Sequence, residues 1–230
     1  MDKQKKIVIV GAGEFAEIAY EYFTHDSEYE VVGFSVEQAF LIHNTLFGLP
    51  ITPFENIENV FPSSECEVFV AVTFTKLNRI RTRLYQAAKT KGYKMASYVS
   101  SKAFVWHNAK IGENCFIFEN NVVQHFSHIG NNVILWSGNH IGHRSVVRDN
   151  CFLSSHVVVS GYCVVGENCF LGVNSTLNDH IVVGKNCLIG SGSLVVKNTE
   201  AGKIYTGSPA VASKVGTFRY FNIHEDEAMF

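Results

Sequence analysis

Short apolar runs alternate with amphipathic segments over residues 1–100. The runs are bounded by turn residues and predict strands at residues 7–10, 31–34, 68–72 and 94–99. A glycine turn after the first run opens a helix that extends to about His25. Apolar residues at helical spacing predict a second helix over residues 76–91, which Gly92 ends. Strands that alternate with helices indicate a small, Rossmann-like parallel α/β sheet.

A six-residue repeat replaces this pattern in the following hundred residues. Residues 105–200 divide without gaps into sixteen hexads, and Asn fills the fourth position in nine of them. Asn tolerates left-handed backbone geometry, as a turn between short strands requires. Each hexad begins with a branched aliphatic residue: Val105, Ile111, Ile117, Val123, Ile129, Leu135, Ile141, Val147, Leu153, Val159, Val165, Leu171, Leu177, Val183, Ile189 and Val195.

One inward aliphatic residue in every six predicts short strands on the three sides of a triangular coil. Eighteen residues then form one coil, and successive coils stack at about 4.8 Å, the spacing of paired strands. The repeat holds a little over five such coils. We therefore predict an α/β domain over residues 1–100, a parallel β-helix over residues 101–214 and a tail over residues 215–230.

Five of the six cysteines occupy the fifth position of their hexads. Ala and Ser fill the same position elsewhere, so the position selects small side chains, and free Cys behaves as a small hydrophobic residue. We interpret these cysteines as packing residues rather than as metal ligands or disulfides: Cys115, Cys151, Cys163, Cys169 and Cys187.

Charge and hydropathy exclude several classes of partner. The formal net charge is -2 and the pI is about 6.5, which gives no overall basic surface for nucleic acid or anionic membrane. No apolar run approaches the roughly 20 residues of a spanning helix, and the N-terminal segment has no apolar stretch typical of a signal peptide. We expect a cytoplasmic protein without nucleic-acid or membrane partners.

The glycine turn after the first strand has the sequence Gly11-Ala-Gly13-Glu14-Phe15-Ala. Its backbone N–H groups and the helix N-terminus could hold a phosphate, as in nucleotide-binding turns. Glu37 lies at about the distance expected for a ribose contact, although the domain is small for a dinucleotide fold. Nucleotide-phosphate binding, NAD binding and a purely structural turn remain the possible roles of this turn.

Histidines are concentrated in the repeat, which contains seven of the ten. His107, His125 and His143 share the third hexad position at intervals of eighteen residues, so we expect them to stack along one edge of the prism. His128 and His140 share another position. Two others occupy turn positions that usually hold Asn, and we interpret these, with His107, as structural: His156 and His180.

Four segments together resemble one known family. They are the glycine-rich opening, FGLPI at residues 47–51, the hexads around NHIGHRSVV at residues 139–147, and the closing GSPA at residues 207–210. In these the chain resembles the hexapeptide-repeat nucleotide-sugar acetyltransferases, bacterial enzymes that acetylate an amino sugar and are relatives of the sialic acid O-acetyltransferases. The resemblance implies a left-handed β-helix, a homotrimer with active sites between subunits, and acetyl-CoA as co-substrate without metal.

The resemblance also implies site residues. His143 corresponds to the general base that takes a proton from the attacking amine or hydroxyl, a role suited to imidazole near neutral pH. Gly161 would lie near the pantetheine and thioester, with Gly190 and Ser191 further along the same strip. Phosphates of CoA would meet the closing segment and its lysines: Lys197, Lys203, Gly207, Pro209 and Lys214. The acceptor would meet the glycine turn, the end of the second strand and a neighbour of the base: Gly11, Gly13, Glu14, Phe15, Ser35 and His125.

The acceptor and the support of the base differ from the family pattern. Ser35-Val36-Glu37 replaces the paired aspartates of members that use UDP sugars, so dTDP or GDP sugars are equally consistent. Arg144 replaces an acidic residue beside the base, and a neighbouring cation disfavours the protonated imidazole. Phe152 replaces a histidine that contacts the thioester region, leaving His156 or a backbone amide for that role.

Alternative functions remain. Amine and hydroxyl acetylation are not separated by these residues. A zinc lyase of the γ-carbonic-anhydrase type would use His125, His128 and His143 as ligands. A non-catalytic trimeric or sugar-binding module is the third possibility, favoured by Arg144 and Phe152.

Apolar residues outside the predicted core support oligomerisation. Outward aromatic residues on the coils indicate flat faces that a neighbouring chain would cover: Phe116, Phe118, Trp136 and Phe170. The tail is also aromatic and could pack on a neighbour: Phe218, Tyr220, Phe221 and Phe230.

Overall fold

The computed structural model describes residues 3–224 and residue 227. The chain divides into two compact units. The first contains the residues up to Thr73 together with Arg83–Tyr98, and the second contains Phe74–Thr82 and the residues from Val99 onward. Among the described residues, no helix has both the length and the apolar character needed to span a membrane.

A five-stranded sheet forms the centre of the first unit. Its order is β3-β4-β2-β1-β5, with β1 parallel to both β2 and β5, β2 parallel to β4, and β3 antiparallel to β4. The strands are β1 Lys5–Val10, β2 Tyr29–Val36, β3 Thr45–Leu46, β4 Leu49–Pro53 and β5 Cys66–Val70, and the helices are α1 Glu14–His25, α2 Ile57–Val60 and α3 Arg79–Thr90, whose first turn belongs to the second unit.

The structure confirms the predicted parallel α/β sheet and corrects two of its elements. Helix α3 begins at Arg79 rather than at residue 76, because Lys76, Leu77 and Asn78 have φ of 51°, 50° and 67°, outside the right-handed helical region. The strand predicted at residues 94–99 is wrong for most of its length. Met95 makes one isolated bridge to Val68, and only Tyr98–Val99 is a strand.

The second unit is a parallel β-helix of short strands arranged in three faces. Its strands are β6 Tyr98–Val99, β7 Phe104–Val105, β8 Lys110–Ile111, β9 Phe116–Ile117, β10 Val122–Val123, β11 His128–Ile129, β12 Ile134–Leu135, β13 His140–Ile141, β14 Val146–Val147, β15 Phe152–Leu153, β16 Val158–Val159, β17 Val164–Val165, β18 Phe170–Leu171, β19 Thr176–Leu177, β20 Val182–Val183, β21 Leu188–Ile189, β22 Leu194–Val195, β23 Lys203–Thr206 and β24 Val211–Gly216, followed by helix α4 Thr217–Tyr220.

From β7 to β22, strands three apart in sequence pair in parallel, so each face repeats every eighteen residues. At the end of face three, β23 pairs in parallel with β21, and β24 is antiparallel to β23. Face one runs β7-β10-β13-β16-β19-β22, face two runs β8-β11-β14-β17-β20, and face three runs from β6 through β9, β12, β15, β18 and β21 to β23 and β24. His140 pairs with Val158, for example, and Val146 with Val164. This is the coil length that the hexads predict.

Three rows of turns connect the faces. We call the row between faces one and two the His143 edge, because His143 lies in it (residues 106–109, 124–127, 142–145, 160–163 and 178–181). The row between faces two and three is the asparagine edge (residues 112–115, 130–133, 148–151, 166–169 and 184–187). The row between faces three and one is the third edge (residues 118–121, 136–139, 154–157, 172–175 and 190–193).

The core of the β-helix consists of the inward aliphatic residues and the small fifth-position side chains. Every hexad-leading residue from Ile117 to Val195 is buried, while Val105 and Ile111 at the end of the stack are partly buried. The cysteines of the repeat are free and buried, as predicted. Cys115 Sγ donates to Gly130 O at 3.0 Å, and Ser127 Oγ donates equivalently to Gly142 O at 2.9 Å. Ser and Cys are interchangeable here because both donate this hydrogen bond between coils.

Two expectations about outward aromatic residues are corrected. Phe116 and Phe118 are 0% and 2% exposed within the single chain, so they do not require a neighbouring chain for cover. Their rings pack 4.7 Å apart, and Phe118 lies 4.3 Å from Trp136. Further along this face, Phe74 packs 4.7 Å from Phe170. In the tail, Phe218 and Tyr220 belong to α4, and Phe230 lies outside the described residues.

Candidate active site

His143 lies in the turn between β13 and β14, where its side chain is half-buried. Its backbone N–H donates to Gln124 Oε1 at 2.9 Å, which ties this turn to the preceding coil. The imidazole of His125 stacks on that of His143, with 5.5 Å between ring centroids and 18° between planes. The predicted stack of histidines along one edge is therefore confirmed for this pair.

Gly161 lies beneath the imidazole of His143. A Cβ placed on Gly161 would be 2.5 Å from Cε1 and 2.9 Å from Nε2 of His143. Contacts this short are forbidden, so only glycine lets the imidazole occupy this position. The N–H of Gly161 donates to Asp179 Oδ1 at 2.8 Å, so one backbone donor beside the imidazole already has an acceptor.

We expect Gly161→Ala to lower kcat for the acetyl transfer that the sequence resemblance implies by about tenfold or more. The new methyl group must displace the imidazole, and small displacements of reacting groups are costly. The φ of Gly161 lies outside the left-handed region, so the fold should tolerate alanine. Thermal unfolding measured beside kcat is the control. Turnover at the wild-type level would show that the position of the imidazole over Gly161 is irrelevant.

Bulky side chains occupy the turn positions around His143. Tyr162 contacts the imidazole edge-to-face at 5.1 Å, and Arg144 lies over the ring of Phe126 at 4.5 Å. Among the residues that the structure describes, no carboxylate forms an ion pair with Arg144. The sequence analysis did not single out Tyr162, Phe126, Gln124 or Asp179. All four lie at multiples of eighteen residues from His143 or from one of its two neighbours, and this spacing would have found them.

Phe152 and His156 lie away from His143. Phe152 is a buried residue of face three, 5.2 Å from Phe74 and 5.7 Å from Phe170, where it packs against neighbouring rings. His156 lies on the third edge, with its ring over Gly138, where a Cβ would be 2.6 Å from Nδ1. Within one chain, His156 therefore does not stand in for the thioester-contacting histidine of the family.

The predicted CoA strip is partly corrected. Lys197 lies three coils beyond His143 at the same hexad position, so it continues the His143 edge. Gly190 and Ser191 do not, because Leu188–Ile189 belongs to face three and the turn that follows is on the third edge. Their separation from the equivalent positions at Gly142 and His143 is not a multiple of eighteen.

The closing segment joins β23 and β24 and is exposed. Its conformation includes a cis bond between Ser208 and Pro209 and a φ of 91° at Gly207. Lys214, on β24, is also exposed. Lys203 at the start of β23 is half-buried. These groups are available to an anionic ligand, and their role in CoA binding stays a prediction.

The glycine turn of the first unit is shaped by close backbone approach. Gly11 has φ of 131°, and a Cβ there would be 2.7 Å from Ala71 O, so glycine is required. Gly13 and Glu14 are exposed at the start of α1, where anions are favoured. Phe15 differs from the prediction, since its side chain is buried with its ring 6.1 Å from that of Phe69.

The end of β2 also differs from a ribose-binding arrangement. Ser35 is buried, and its Oγ donates to Thr52 O at 3.1 Å. Glu37 accepts two hydrogen bonds of 2.8 Å from Arg83, and this guanidinium holds the pKa of the Glu37 carboxyl below its usual value. In the first unit, the accessible part of the predicted acceptor site is therefore Gly11, Gly13 and Glu14, and His125 in the second unit is also exposed.

No group of three or more His, Cys, Asp or Glu side chains is arranged to hold a metal ion within residues 3–224 and 227. The three histidines considered as ligands of a zinc lyase lie in two different parts of the coil. His128 is an exposed residue of β11 on face two, whereas His125 and His143 stack with each other on the His143 edge.

Comparisons with known proteins identify the repeat and the fold. Residues 108–143, 126–161 and 162–197 match the bacterial transferase hexapeptide (six repeats) family. No curated protein sequence matches that of the chain.

Several solved structures match nearly the whole chain, among them structures of three proteins. The acetyltransferase domain of PglB from Neisseria gonorrhoeae FA1090 is 22% identical, with a TM-score of 0.82 over 91% of this chain and 100% of that one. PerB from Caulobacter crescentus, solved with CoA and GDP-perosamine, is 22% identical, with a TM-score of 0.79 over 90% and 97%. WeeI from Acinetobacter baumannii AYE is 17% identical, with a TM-score of 0.70 over 91% and 100%.

These likenesses extend over both the α/β part and the β-helix, and they confirm the predicted fold, including its left hand. Residues 108–197 match the bacterial transferase hexapeptide repeats, and the chain as a whole shares the left-handed β-helix fold of these solved structures.

Proposed function

We propose that the protein is an acetyltransferase that transfers the acetyl group of acetyl-CoA to the amino group of a nucleotide-linked amino sugar. The observation that supports this most directly is the seating of the His143 imidazole over Gly161 on one edge of the β-helix. Structures of similar fold support it too, since the PglB acetyltransferase domain was solved with acetyl coenzyme A and PerB with CoA and GDP-perosamine.

His143 acts as the general base in this proposal. The acceptor nitrogen attacks the thioester carbonyl, a C–N bond forms, and the imidazole takes the proton that the nitrogen loses. The tetrahedral intermediate then collapses with cleavage of the C–S bond. The imidazolium returns the proton to the departing thiolate, so CoA leaves as the free thiol and no enzyme nucleophile is needed.

Small residues and surface cations support the binding of acetyl-CoA. Gly161 leaves room beside the imidazole that a Cβ would fill, and Lys197 lies further along the same edge. Lys214 and the exposed turn at Gly207 and Pro209 would meet the phosphates. In the first unit, Gly11, Gly13 and Glu14 would face the nucleotide part of the acceptor.

We propose a homotrimer in which neighbouring β-helices share each site. Exposed apolar residues along the β-helix support contact with another chain, namely Phe104, Trp106, Phe126, Tyr162 and Val182. Light scattering of the purified protein measures the assembly directly.

The test of the proposed function is release of CoA thiol from acetyl-CoA with a panel of UDP-, dTDP- and GDP-linked amino sugars. Each amino sugar is matched by its hydroxyl analogue, and products are identified by mass spectrometry. We expect turnover with at least one amino sugar and none with its analogue. Preference for the hydroxyl acceptor would indicate O-acetylation, and stoichiometric zinc with CO₂ hydration would replace the proposal with a lyase.

A further inference from the structure

The turn positions of the His143 edge differ from those of the asparagine edge. On the asparagine edge, all five coils place Asn at the fourth hexad position, and neighbouring amides bond between coils, as in Asn114 Nδ2 to Asn132 Oδ1 at 2.8 Å. On the His143 edge, four successive coils place larger side chains at the same position: Phe126, Arg144, Tyr162 and His180. On the third edge, His156 takes this position in a single coil, with Asn or Gly in the coils on either side. Only beside His143 do the larger side chains follow one another through successive coils.

These larger side chains sit on backbone that disfavours them. Phe126, Arg144, Tyr162 and His180 have φ between 56° and 62°, the left-handed region that Asn and Gly adopt readily and bulky residues rarely adopt. Within one chain, Tyr162 is 46% solvent-exposed, so burial of its ring inside the chain offsets little of this strain. Backbone strain concentrated beside a reactive group is a feature of functional sites.

Tyr162 contacts the imidazole of His143 from the following coil, whereas His125 stacks on it from the preceding coil. The ring of Tyr162 meets that of His143 at 5.1 Å and 82°, and the backbone N–H of Tyr162 donates to His143 O at 2.9 Å. The Tyr162 ring is itself held, because His180 stacks on it at 4.8 Å with 8° between planes. His143 is thus enclosed by His125, by Gly161 below and by Tyr162.

We infer that Tyr162 is a positioning residue, retained at a strained turn because its ring fixes the orientation of the His143 imidazole. The inference rests on the proposed acetyl transfer. Orientation of a general base affects the rate of proton transfer more than it affects the binding of either substrate, so the ring of Tyr162 should influence kcat rather than KM. The hydroxyl group has no part in this role.

The variant Tyr162→Asn distinguishes a positioning role from a structural one. Asn is the commonest residue at this turn position of the hexads, so the variant should keep the fold while it removes the ring. We expect a midpoint of thermal unfolding within about 2 °C of wild type, or above it. We expect kcat to fall about tenfold and KM for acetyl-CoA to change less than about threefold. Tyr162→Phe keeps the ring and should retain at least about half of the wild-type kcat.

A second measurement reports the imidazole itself, independently of acceptor identity. Proton and carbon NMR of the His143 ring should show a shift and greater ring mobility in Tyr162→Asn, and wild-type values in Tyr162→Phe. Unchanged kcat in Tyr162→Asn, or a loss of kcat matched by unfolding, overturns the positioning role while leaving the proposed function intact. No turnover by the wild-type protein with any acceptor of the panel overturns both.

Discussion

His143→Ala is expected to lower kcat for acetyl transfer by about 10²- to 10⁴-fold, the usual contribution of a general base. The imidazole is half-buried over Gly161 and makes no contribution to the aliphatic core, so the variant should keep its fold and its KM for acetyl-CoA. Thiol release with the best acceptor of the panel, measured beside thermal unfolding, tests this result.

His128→Ala is the matched control for His143→Ala. His128 is an exposed histidine of β11, on face two, with no ring contact to the His143 stack among the described residues. We expect its turnover to stay within about twofold of wild type. A zinc lyase that used both histidines as ligands would lose activity in both variants. Wild-type turnover in His143→Ala would remove this imidazole from the mechanism.

Arg81→Ala is expected to lower the free energy of unfolding by at least about 3 kcal/mol. Arg81 is fully buried at the asparagine edge, where Nε donates to Asn132 Oδ1 at 3.1 Å and Nη2 to Cys151 O at 3.1 Å. Burial lowers its pKa to about 9, so the guanidinium is still charged at neutral pH. Alanine would leave a cavity and unpaired carbonyl groups across successive coils.

Arg83→Ala is the control for Arg81→Ala, because it removes an arginine two residues later in the same helix. The Arg83 side chain is 46% exposed and pairs with Glu37 near the surface, so its loss should cost less than about 1 kcal/mol. Urea unfolding of the two variants and wild type gives the comparison. Equal losses would show that the contacts of Arg81 with the coils add no stability beyond those of a surface ion pair.

The sequence predicted the β-helix because its signal is local and repeated. A branched aliphatic residue at every sixth position points one side chain inward from each strand, and the sum over sixteen hexads leaves no other regular structure. The same spacing placed His125, His143 and Gly161 on one edge, since each is separated from the next by one coil. The placement of Gly190 and Ser191 on that edge was wrong, because it followed the family's cofactor rather than this spacing. Their contact with CoA stays a prediction.

Contacts between distant parts of the sequence were beyond prediction. The apolar periodicity through Leu77 and Leu84 predicted a helix across the left-handed turn that precedes α3. Periodicity shows which residues are apolar, but it carries no information about the sign of φ. From the sequence, Arg81 is expected to be an exposed residue of the helix. Its hydrogen-bond partners in the structure lie 51 to 70 residues further along the chain. The outward positions of Phe116 and Phe118 were identified correctly, but their cover within the chain was not.

The eighteen-residue spacing of the faces determines on which edge of the β-helix each residue lies. Removing six residues from the repeat would preserve the inward aliphatic pattern, and the shortened β-helix could still close its core. Every later side chain would nevertheless rotate to the adjacent edge, so a deletion between His143 and Gly161 would replace the glycine beneath the imidazole. Only whole coils can be gained or lost without separating the residues that meet at His143.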